Sequence, residues 1–384
     1  MKIEKVVYGG KGIGRLEGKV CFVEGVIPGE EVDVEITKDT KKFSEARVKT
    51  IAEKSSSRVE PPCDYYSTCG GCQYQHMEYA EELLVKESQV RDMFSHNLKI
   101  DDGIVQKIQS CSEDGYRYRN HVTLRPSDKG RLGYIARDNV SSVLVDDCLI
   151  ADKNLKPVYQ EKVKSPKKTQ RITFNLSQHD EVVSSLESKR YLIYLCDTEV
   201  WAVSDGFFQN NLKVTELVIK QLKQWVKEIN PEGFFDLYAG VGTFSLFAAE
   251  KAKELICVEE SKPSVECLKK NMLKYRKNKW KVSRGKVEKN FMSLASDVDA
   301  KDYMVFLDPP RAGIHNSLAQ FFAEHSPFKA ISYLSCDPAT LVRDLKIITS
   351  TGKYVVDSVI PFDMFPRTKH IEALVLLRPL SSRT

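Results

Sequence analysis

The chain has 384 residues, which is too long for one hydrophobic core and predicts about two or three domains. Its composition, 42% hydrophobic and 29% charged, is typical of a globular protein in water. No apolar run approaches the length of a membrane span and no signal peptide is visible, so we expect a cytoplasmic protein with no membrane partner. The net charge of +5 permits a polyanionic partner without requiring one.

Residues 1–57 are short β-type runs separated by glycines, such as KIEKVVYGG, KVCFVEGVI and EEVDVEIT. This pattern predicts a small all-β barrel. Composition alone supports a purely structural module equally well. However, the order of strands and glycines resembles a TRAM domain, an RNA-binding barrel of the OB type, over the whole segment. The resemblance implies RNA contact here.

The linker SSSRVEPP precedes a predicted helix over 75–96 and then a run of strands from about 116 to 205. We interpret residues 58–205 as a β-rich central domain. The buried stripe of the helix is predicted to consist of Ala80, Leu83, Leu84, Val90 and Phe94. The stretch 151–171 carries seven basic residues against two acidic ones. A solvated linker is favoured there over an RNA-binding patch.

After Asn211 amphipathic helices alternate with short apolar strands, including FFDL, ELICVE, YMVFLD, AISYLS, KYVVDSVI and EALVLL. This alternation predicts a parallel, doubly wound α/β domain over residues 206–384.

A glycine-rich turn with Gly240 and Gly242 follows the first of these strands, and Glu259 ends the next one, where a carboxylate can bind ribose hydroxyls. A dinucleotide-binding fold is the competing interpretation. Because a pyrophosphate-binding turn needs three glycines, and because Asp236 is typical of methyltransferases, we favour S-adenosylmethionine over NAD and a Rossmann-like class I methyltransferase domain. Asp308 starts an Asp-Pro-Pro sequence that either faces the base to be methylated or simply ends a strand.

Cys336 and Glu372 are candidates for pyrimidine chemistry. Carbon 5 of a pyrimidine accepts a methyl group only after a nucleophile, ideally a thiolate, has attacked carbon 6. Cys336 stands between a predicted strand and a helix near Pro338, whose N-terminus can stabilise a thiolate. The carbon 5 proton must then be removed, and His370 or Glu372 can supply the base. Taken alone, a cysteine at a strand end is more often simply a buried residue, and the second segment could be a surface turn.

Four motifs, DLYAGVGTFSL, DPPRAG, YLSCDPATLVRDL and DMFPRTKHIEALVLL, occur in this order. Together they resemble the RNA 5-methyluridine methyltransferase family, which modifies ribosomal RNA and the T-loop of transfer RNA, over essentially the whole chain. The resemblance implies Cys336 as nucleophile and Glu372 as base. It also implies a donor pocket formed by Gln209, Tyr238, Gly240, Glu259 and Asp308.

Two positions depart from the family pattern. His121 stands where the family usually has lysine after Tyr-Arg-Asn, and Lys286 stands where an acidic or amide residue often contacts adenine. The resemblance therefore does not imply an adenine contact by Lys286.

The cysteines of CDYYSTCGGC, with Cys148 further along, can hold zinc or an iron–sulfur cluster. Structural zinc usually shows paired CxxC motifs, so the spacing of Cys63, Cys69 and Cys72 favours a 4Fe-4S cluster. In the family, CGGCxxQH begins such a site and a later cysteine completes it, which adds to this expectation.

The substrate follows in part from the resemblance. A TRAM barrel with four cysteines resembles the ribosomal branch, so 23S ribosomal RNA is the expected substrate, with uridine 54 of transfer RNA as the alternative. A thiol reaches carbon 6 only when the uridine is unstacked, which favours a single-stranded or refolded RNA.

Residues 262–286, with ten basic residues against one acidic, are equally consistent with a solvated helix face and with a phosphate-binding surface. We expect a monomer.

Two other activities are consistent with parts of the sequence. A cytosine-5 methyltransferase uses the same thiol chemistry, but the Phe-Pro-x-Thr-x-His-x-Glu segment argues against it. An iron–sulfur RNA-binding protein or chaperone without catalysis would not need the pairing of Cys336 with Glu372.

Overall fold

The N-terminal part of the chain forms a five-stranded sheet in the computed structural model, which describes residues 1–127, 130–163, 170–248, 252–275, 279–325 and 327–380. Its strands are β1 (Ile3–Val6), β2 (Lys11–Leu16), β3 (Lys19–Glu24), β4 (Glu31–Asp39) and β5 (Phe43–Glu53). They lie in the order β1-β2-β3-β5-β4, and one isolated bridge joins Lys2 to Glu31. The predicted β module is confirmed, whereas its closure into a barrel stays a prediction.

The central region contains one long helix, a second five-stranded sheet and a hairpin. The helix is α1 (Tyr79–Leu98). The sheet, in the order β10-β9-β6-β7-β8, consists of β6 (His121–Pro126), β7 (Leu132–Ile135), β8 (Ser142–Val143), β9 (Ile172–Leu176) and β10 (Val182–Ser184). The hairpin is β11 (Arg190–Leu195) with β12 (Thr198–Val203). The β-rich character is confirmed. Residues 164–169 of the basic stretch lie outside the described residues.

The C-terminal region is a seven-stranded sheet in the order β15-β14-β13-β16-β17-β19-β18. Its strands are β13 (Gly233–Leu237), β14 (Glu254–Glu259), β15 (Lys279–Arg284), β16 (Tyr303–Leu307), β17 (Ala330–Ser335), β18 (Tyr354–Phe362) and β19 (Glu372–Pro379). The helices are α2 (Leu212–Ile229), α3 (Thr243–Ala248), α4 (Lys262–Tyr275), α5 (Val287–Ser296), α6 (Asn316–Glu324) and α7 (Pro338–Ile348). None of the helices that the structure describes is long and apolar enough to cross a bilayer.

The prediction of a wholly parallel sheet is wrong for one strand, β19. β19 runs antiparallel to both β17 and β18. β18 and β19 are joined by an irregular loop over 363–371 rather than by a helix, and a parallel return would need a longer crossover. The other six strands run in one direction, so the carboxyl ends of β13, β14, β16 and β17 meet at one edge, where open α/β sheets bind ligands.

The predicted buried stripe of α1 is partly wrong. Val90 and Phe94 are buried, but Ala80 and Leu84 are exposed. The helix instead buries polar side chains, among them Glu82 and Lys86. Hydrophobic periodicity failed here because this face of α1 packs against a charged loop of the C-terminal region.

A fully buried ion network joins α1 to the loop that precedes β19. Lys86 Nζ donates to Glu82 Oε1 at 2.7 Å and to Asp363 Oδ1 at 2.6 Å, and all three side chains are shielded from solvent. The Tyr79 hydroxyl donates to the other Asp363 oxygen at 2.7 Å. Burial opposes the charge of Lys86, but the carboxylates of Asp363 and Glu82 hold its pKa above the ordinary lysine value. The ammonium is therefore charged and paired inside the protein.

Loop 363–371 is also hydrogen-bonded to the segment that carries Cys63, Cys69 and Cys72. The Arg367 amide donates to Glu82 Oε1 at 2.7 Å, and the Arg367 guanidinium donates to the Met77 and Asp114 carbonyls. The Gln73 amide, next to Cys72, donates to the Arg367 carbonyl at 3.0 Å. Loop 363–371 is thus fixed from several directions before the chain enters β19.

We expect Lys86→Met to lower the free energy of unfolding by about 3 to 5 kcal/mol, because it leaves two buried carboxylates without their cation. Urea denaturation followed by circular dichroism measures the change. Lys220→Met, at an exposed position of α2, serves as the matched control and should shift the midpoint little. Equal effects of the two substitutions would contradict the stabilising role of the network.

Candidate active site

One cleft of about 790 Å³ opens at the carboxyl edge of the C-terminal sheet. It is lined by all seven residues that the sequence singled out for catalysis or donor binding: Gln209, Tyr238, Gly240, Glu259, Asp308, Cys336 and Glu372. They come from the loop before α2, from the ends of β13, β14, β16 and β17, and from the start of β19. The parallel strand order explains the convergence, because it brings distant strand ends to one edge.

The glycine turn after β13 is held by Glu259. Gly240 and Gly242 have φ values of 54° and 86°, a region that favours glycine. The Gly240 amide donates to Glu259 Oε2 at 2.9 Å, and the Ser261 amide donates to Glu259 Oε1 at 2.7 Å. The Glu259 carboxylate therefore fixes the shape of the turn as well as lining the cleft.

Two carboxyl groups lie near the carboxyl ends of β13 and β16. Asp236 does not line the cleft; its carboxylate accepts a hydrogen bond from the Ser245 hydroxyl, and burial raises its pKa to about 7. Asp308 accepts from Gln209 Nε2 at 3.2 Å, and burial together with the nearby Asp236 charge raises its pKa to about 8. Asp308 is accordingly held near the point of protonation at neutral pH.

Cys336 immediately follows β17 and lies one residue before the N-cap of α7. Burial raises the pKa of its thiol to about 12, with a further rise from the Glu372 carboxylate and an opposing effect of the Arg311 guanidinium. The predicted stabilisation of a thiolate by the helix N-terminus is not the dominant effect. The first-turn amides of Ala339 and Thr340 are already bonded to the Asp337 side chain.

Glu372 and His370 were the two candidates for the base, and only Glu372 lines the cleft. Glu372 is almost completely buried, and burial followed by the Asp308 charge raises its pKa well above the ordinary value. His370 contacts Arg311 at 3.4 Å instead, and burial together with that cation lowers its pKa to about 3.

Several residues of the site were missed or misplaced by sequence reasoning. Arg311 lies in the quoted DPPRAG motif without an assigned role, yet its charge acts on both Cys336 and Glu372. Tyr8, in the turn between β1 and β2, lies beside Asp337 and Cys336, whose charges add to burial in raising its pKa. Lys286 is exposed at the N-cap of α5 and does not line the cleft, whereas the neighbouring Glu288 does.

The basic segment 262–286 is partly used for packing. Lys270 Nζ lies 3.3 Å from the centroid of the Trp201 ring, and Lys274 pairs with Glu199 at 2.8 Å. Both contacts attach α4 to the β11–β12 hairpin, which favours a structural role for these two lysines. Residues 276–278 lie outside the described residues.

A second cavity, apart from the cleft, is lined by all four predicted cluster ligands: Cys63, Cys69, Cys72 and Cys148. Burial raises the pKa of Cys72 to about 12, and the Cys148 and Cys69 thiols contribute to this rise. Within the described ranges, no group of three or more histidine, cysteine or acidic side chains has the arrangement of a metal site. A set of soft sulfur ligands in one cavity fits an iron–sulfur cluster or zinc chemically, and the cluster itself stays a prediction.

Comparisons with known proteins identify the family. Residues 197–379 match the tRNA (uracil-5-)-methyltransferase family model, and residues 1–49 match the TRAM domain. An uncharacterized RNA methyltransferase of Bdellovibrio bacteriovorus is 34% identical, covering 98% of this chain and 94% of that protein. The chain belongs to the RNA methyltransferase family. It is an enzyme that transfers a methyl group from S-adenosylmethionine to RNA.

Two further similarities extend over the whole chain. The 23S rRNA (uracil(1939)-C(5))-methyltransferase of Pseudoalteromonas translucida is 26% identical, covering 98% of this chain and 96% of that protein. The crystal structure of the Pyrococcus abyssi tRNA (uracil-54, C5)-methyltransferase with S-adenosyl-L-homocysteine is similar with a TM-score of 0.73. It is 20% identical and covers 98% of this chain and 99% of that one, so it shares the fold.

We expect Glu259→Ala to weaken S-adenosylmethionine binding by about 2 to 4 kcal/mol, because charge-assisted hydrogen bonds to ribose and to the Gly240 turn are lost together. Isothermal titration calorimetry measures the affinity. The exposed Glu53→Ala in the N-terminal sheet is the control and should bind the donor normally. Unchanged donor affinity in Glu259→Ala would place the ribose elsewhere.

Proposed function

We propose that the enzyme methylates carbon 5 of a uridine in RNA through a covalent bond between Cys336 and carbon 6. The observation that carries this proposal is the convergence of Cys336 and Glu372 in one cleft with the glycine turn and Glu259. A thiol, a buried carboxylate and a donor-binding turn are the parts that this reaction requires.

The chemistry assigns a separate step to each side chain. Cys336 loses its proton to water in the open cleft, and its thiolate sulfur adds to carbon 6, which moves the electron pair of the double bond to carbon 5. Carbon 5 then takes the methyl group from the sulfonium, and S-adenosylhomocysteine is released. Glu372 removes the remaining carbon 5 proton, and the returning electron pair restores the double bond and expels the sulfur. Glu372 acts in this last step as its carboxylate, and its raised pKa then favours proton uptake.

The buried thiol must lose its proton during the reaction. Its pKa of about 12 in the ligand-free enzyme reflects burial and the adjacent Glu372 carboxylate. Arg311 is the side chain that opposes this effect, and it acts in the same direction on Glu372. We therefore assign Arg311 to the stabilisation of negative charge as the sulfur attacks.

Ribosomal RNA is the substrate class that we propose, with transfer RNA as the alternative. The match to a 23S ribosomal RNA enzyme supports the first, at 26% identity over 98% of this chain. The fold shared with a transfer RNA enzyme supports neither one over the other.

We also propose that Cys63, Cys69, Cys72 and Cys148 hold a 4Fe-4S cluster. The support is their common cavity, although Cys148 lies far from the other three in the sequence. Such a cluster would cross-link the 63–72 segment to the loop at Cys148, and the methyl transfer itself consumes no electron. Its proposed role is therefore structural.

We expect total RNA from cells lacking this protein to have lost one or more 5-methyluridines, and the wild-type gene to restore them. Cys336→Ala should restore none, because carbon 5 is never activated without the thiol. Liquid chromatography with mass spectrometry of mapped RNA fragments identifies the RNA and the uridine. Cys196→Ala, in the hairpin turn away from the cleft, should restore methylation. Full restoration by Cys336→Ala would overturn the assignment.

We expect the protein purified without oxygen to be brown and to contain about four iron and four sulfide per chain. Cys69→Ser should lose most of this iron, whereas Cys196→Ser should keep it. A colourless protein with one zinc and no iron would exclude the cluster, and so would iron retention by Cys69→Ser.

A further inference from the structure

His121 lies in the active-site cleft, yet the reaction described above gives it no role. It is the first residue of β6 and lines the same cavity as Cys336 and Glu372. It stands where the family that the sequence resembles usually has lysine. A lysine ammonium can only donate hydrogen bonds, whereas an imidazole can accept one.

The protonation of the His121 ring follows from its neighbour Asn120. Asn120 Nδ2 donates to the Gln209 carbonyl at 3.1 Å, and a carbonyl oxygen can only accept. This fixes the orientation of the amide, so Asn120 Oδ1 is the atom 3.1 Å from His121 Nδ1. Because Oδ1 is an acceptor, Nδ1 must carry a hydrogen.

A neutral ring with a hydrogen on Nδ1 leaves Nε2 as an acceptor. Burial and the neighbouring Arg119 cation lower the pKa of His121 to about 4, so the ring is neutral near pH 7. Among the described residues, none donates a hydrogen bond to Nε2. The cleft therefore contains an imidazole acceptor that is held in one tautomer and is available to a ligand.

We propose that His121 Nε2 accepts the N3–H of the target uracil and so selects uracil over cytosine. This inference rests on the proposed function and deepens it. In a uracil nucleotide N3–H is the only donor on the base, because O2 and O4 are acceptors. Cytosine presents a lone pair at N3, which would face the lone pair of Nε2. The hydrogen bond therefore distinguishes the two pyrimidines at the one ring atom where their polarity is reversed.

The hydrogen bonds that orient His121 connect it to the rest of the site. Gln209, whose carbonyl orients Asn120, also donates through its side chain to Asp308 at 3.2 Å. Asn210 lines the cleft as well, and within the described part of the chain its side-chain oxygen has no hydrogen-bond partner. Asn210 is thus a second acceptor that could bind N3–H, and variants at His121 distinguish the two.

The test uses two synthetic RNA stem–loops, one carrying the mapped target uridine and its twin carrying cytidine at that position. Dissociation constants for both are measured with S-adenosylhomocysteine present. The wild-type enzyme should bind the uridine RNA more tightly than the cytidine RNA. In His121→Leu the ratio of the two dissociation constants should be roughly 10- to 100-fold smaller. His121→Gln, whose amide oxygen can accept N3–H, should recover part of it. His96→Leu, at an exposed position of α1, should keep the wild-type ratio.

A purely structural role of His121 would weaken both RNAs equally and leave the ratio unchanged. An unchanged ratio in His121→Leu, or equal binding of both RNAs by the wild-type enzyme, would overturn the proposal. The wild-type enzyme is also assayed for 5-methyluridine formation on the uridine stem–loop. If product forms while the ratio is unchanged, only the role of His121 fails. If no RNA yields 5-methyluridine, the proposed function fails, and this inference with it.

Discussion

The buried ion network of Lys86 with Glu82 and Asp363 is the constraint on which the active site depends. An ammonium and two carboxylates without solvent are stable only while all three are paired. The network joins α1 to loop 363–371, and that loop leads directly into β19, whose first residue is Glu372. The position of the proposed base is therefore set both by contacts with the central region and by the pairing of β19 with β17, in which Ala373 lies opposite Ser335, the residue before Cys336.

The electrostatics of the cleft favour neutral side chains before RNA binds. Burial raises the pKa values of Cys336, Glu372 and Asp308 together, and each anion raises that of a neighbour. Arg311 is the opposing charge for the first two. Three anions in one cleft would repel one another, so proton transfers between them and the substrate are coupled. Such coupling matches a reaction in which a proton leaves a thiol and another arrives at a carboxylate.

Much of this site could be predicted from the sequence because its residues lie in local motifs at strand ends. Gly240, Glu259, Asp308 and Cys336 each follow a strand, and parallel strands bring such ends together. The antiparallel return of β19 was missed because EALVLL is equally apolar in either direction. The polar face of α1 was missed because Lys86 meets Asp363 only in the folded chain, and hydrophobic periodicity has no means to detect a buried pair. Tyr8 and the orientation of Asn120 likewise depend on long-range contacts that no local pattern records.

The division of labour between Cys336 and Glu372 is the central claim, and a Glu372→Gln variant tests it most directly. With S-adenosylmethionine and the mapped RNA, attack and methyl transfer should proceed in this variant. The carbon 5 proton should remain, so the sulfur should not be expelled. Mass spectrometry of the denatured mixture should then show RNA with one added methyl group, bonded to the peptide that contains Cys336. Normal turnover by Glu372→Gln, or the absence of any adduct while donor binding is intact, would contradict the account.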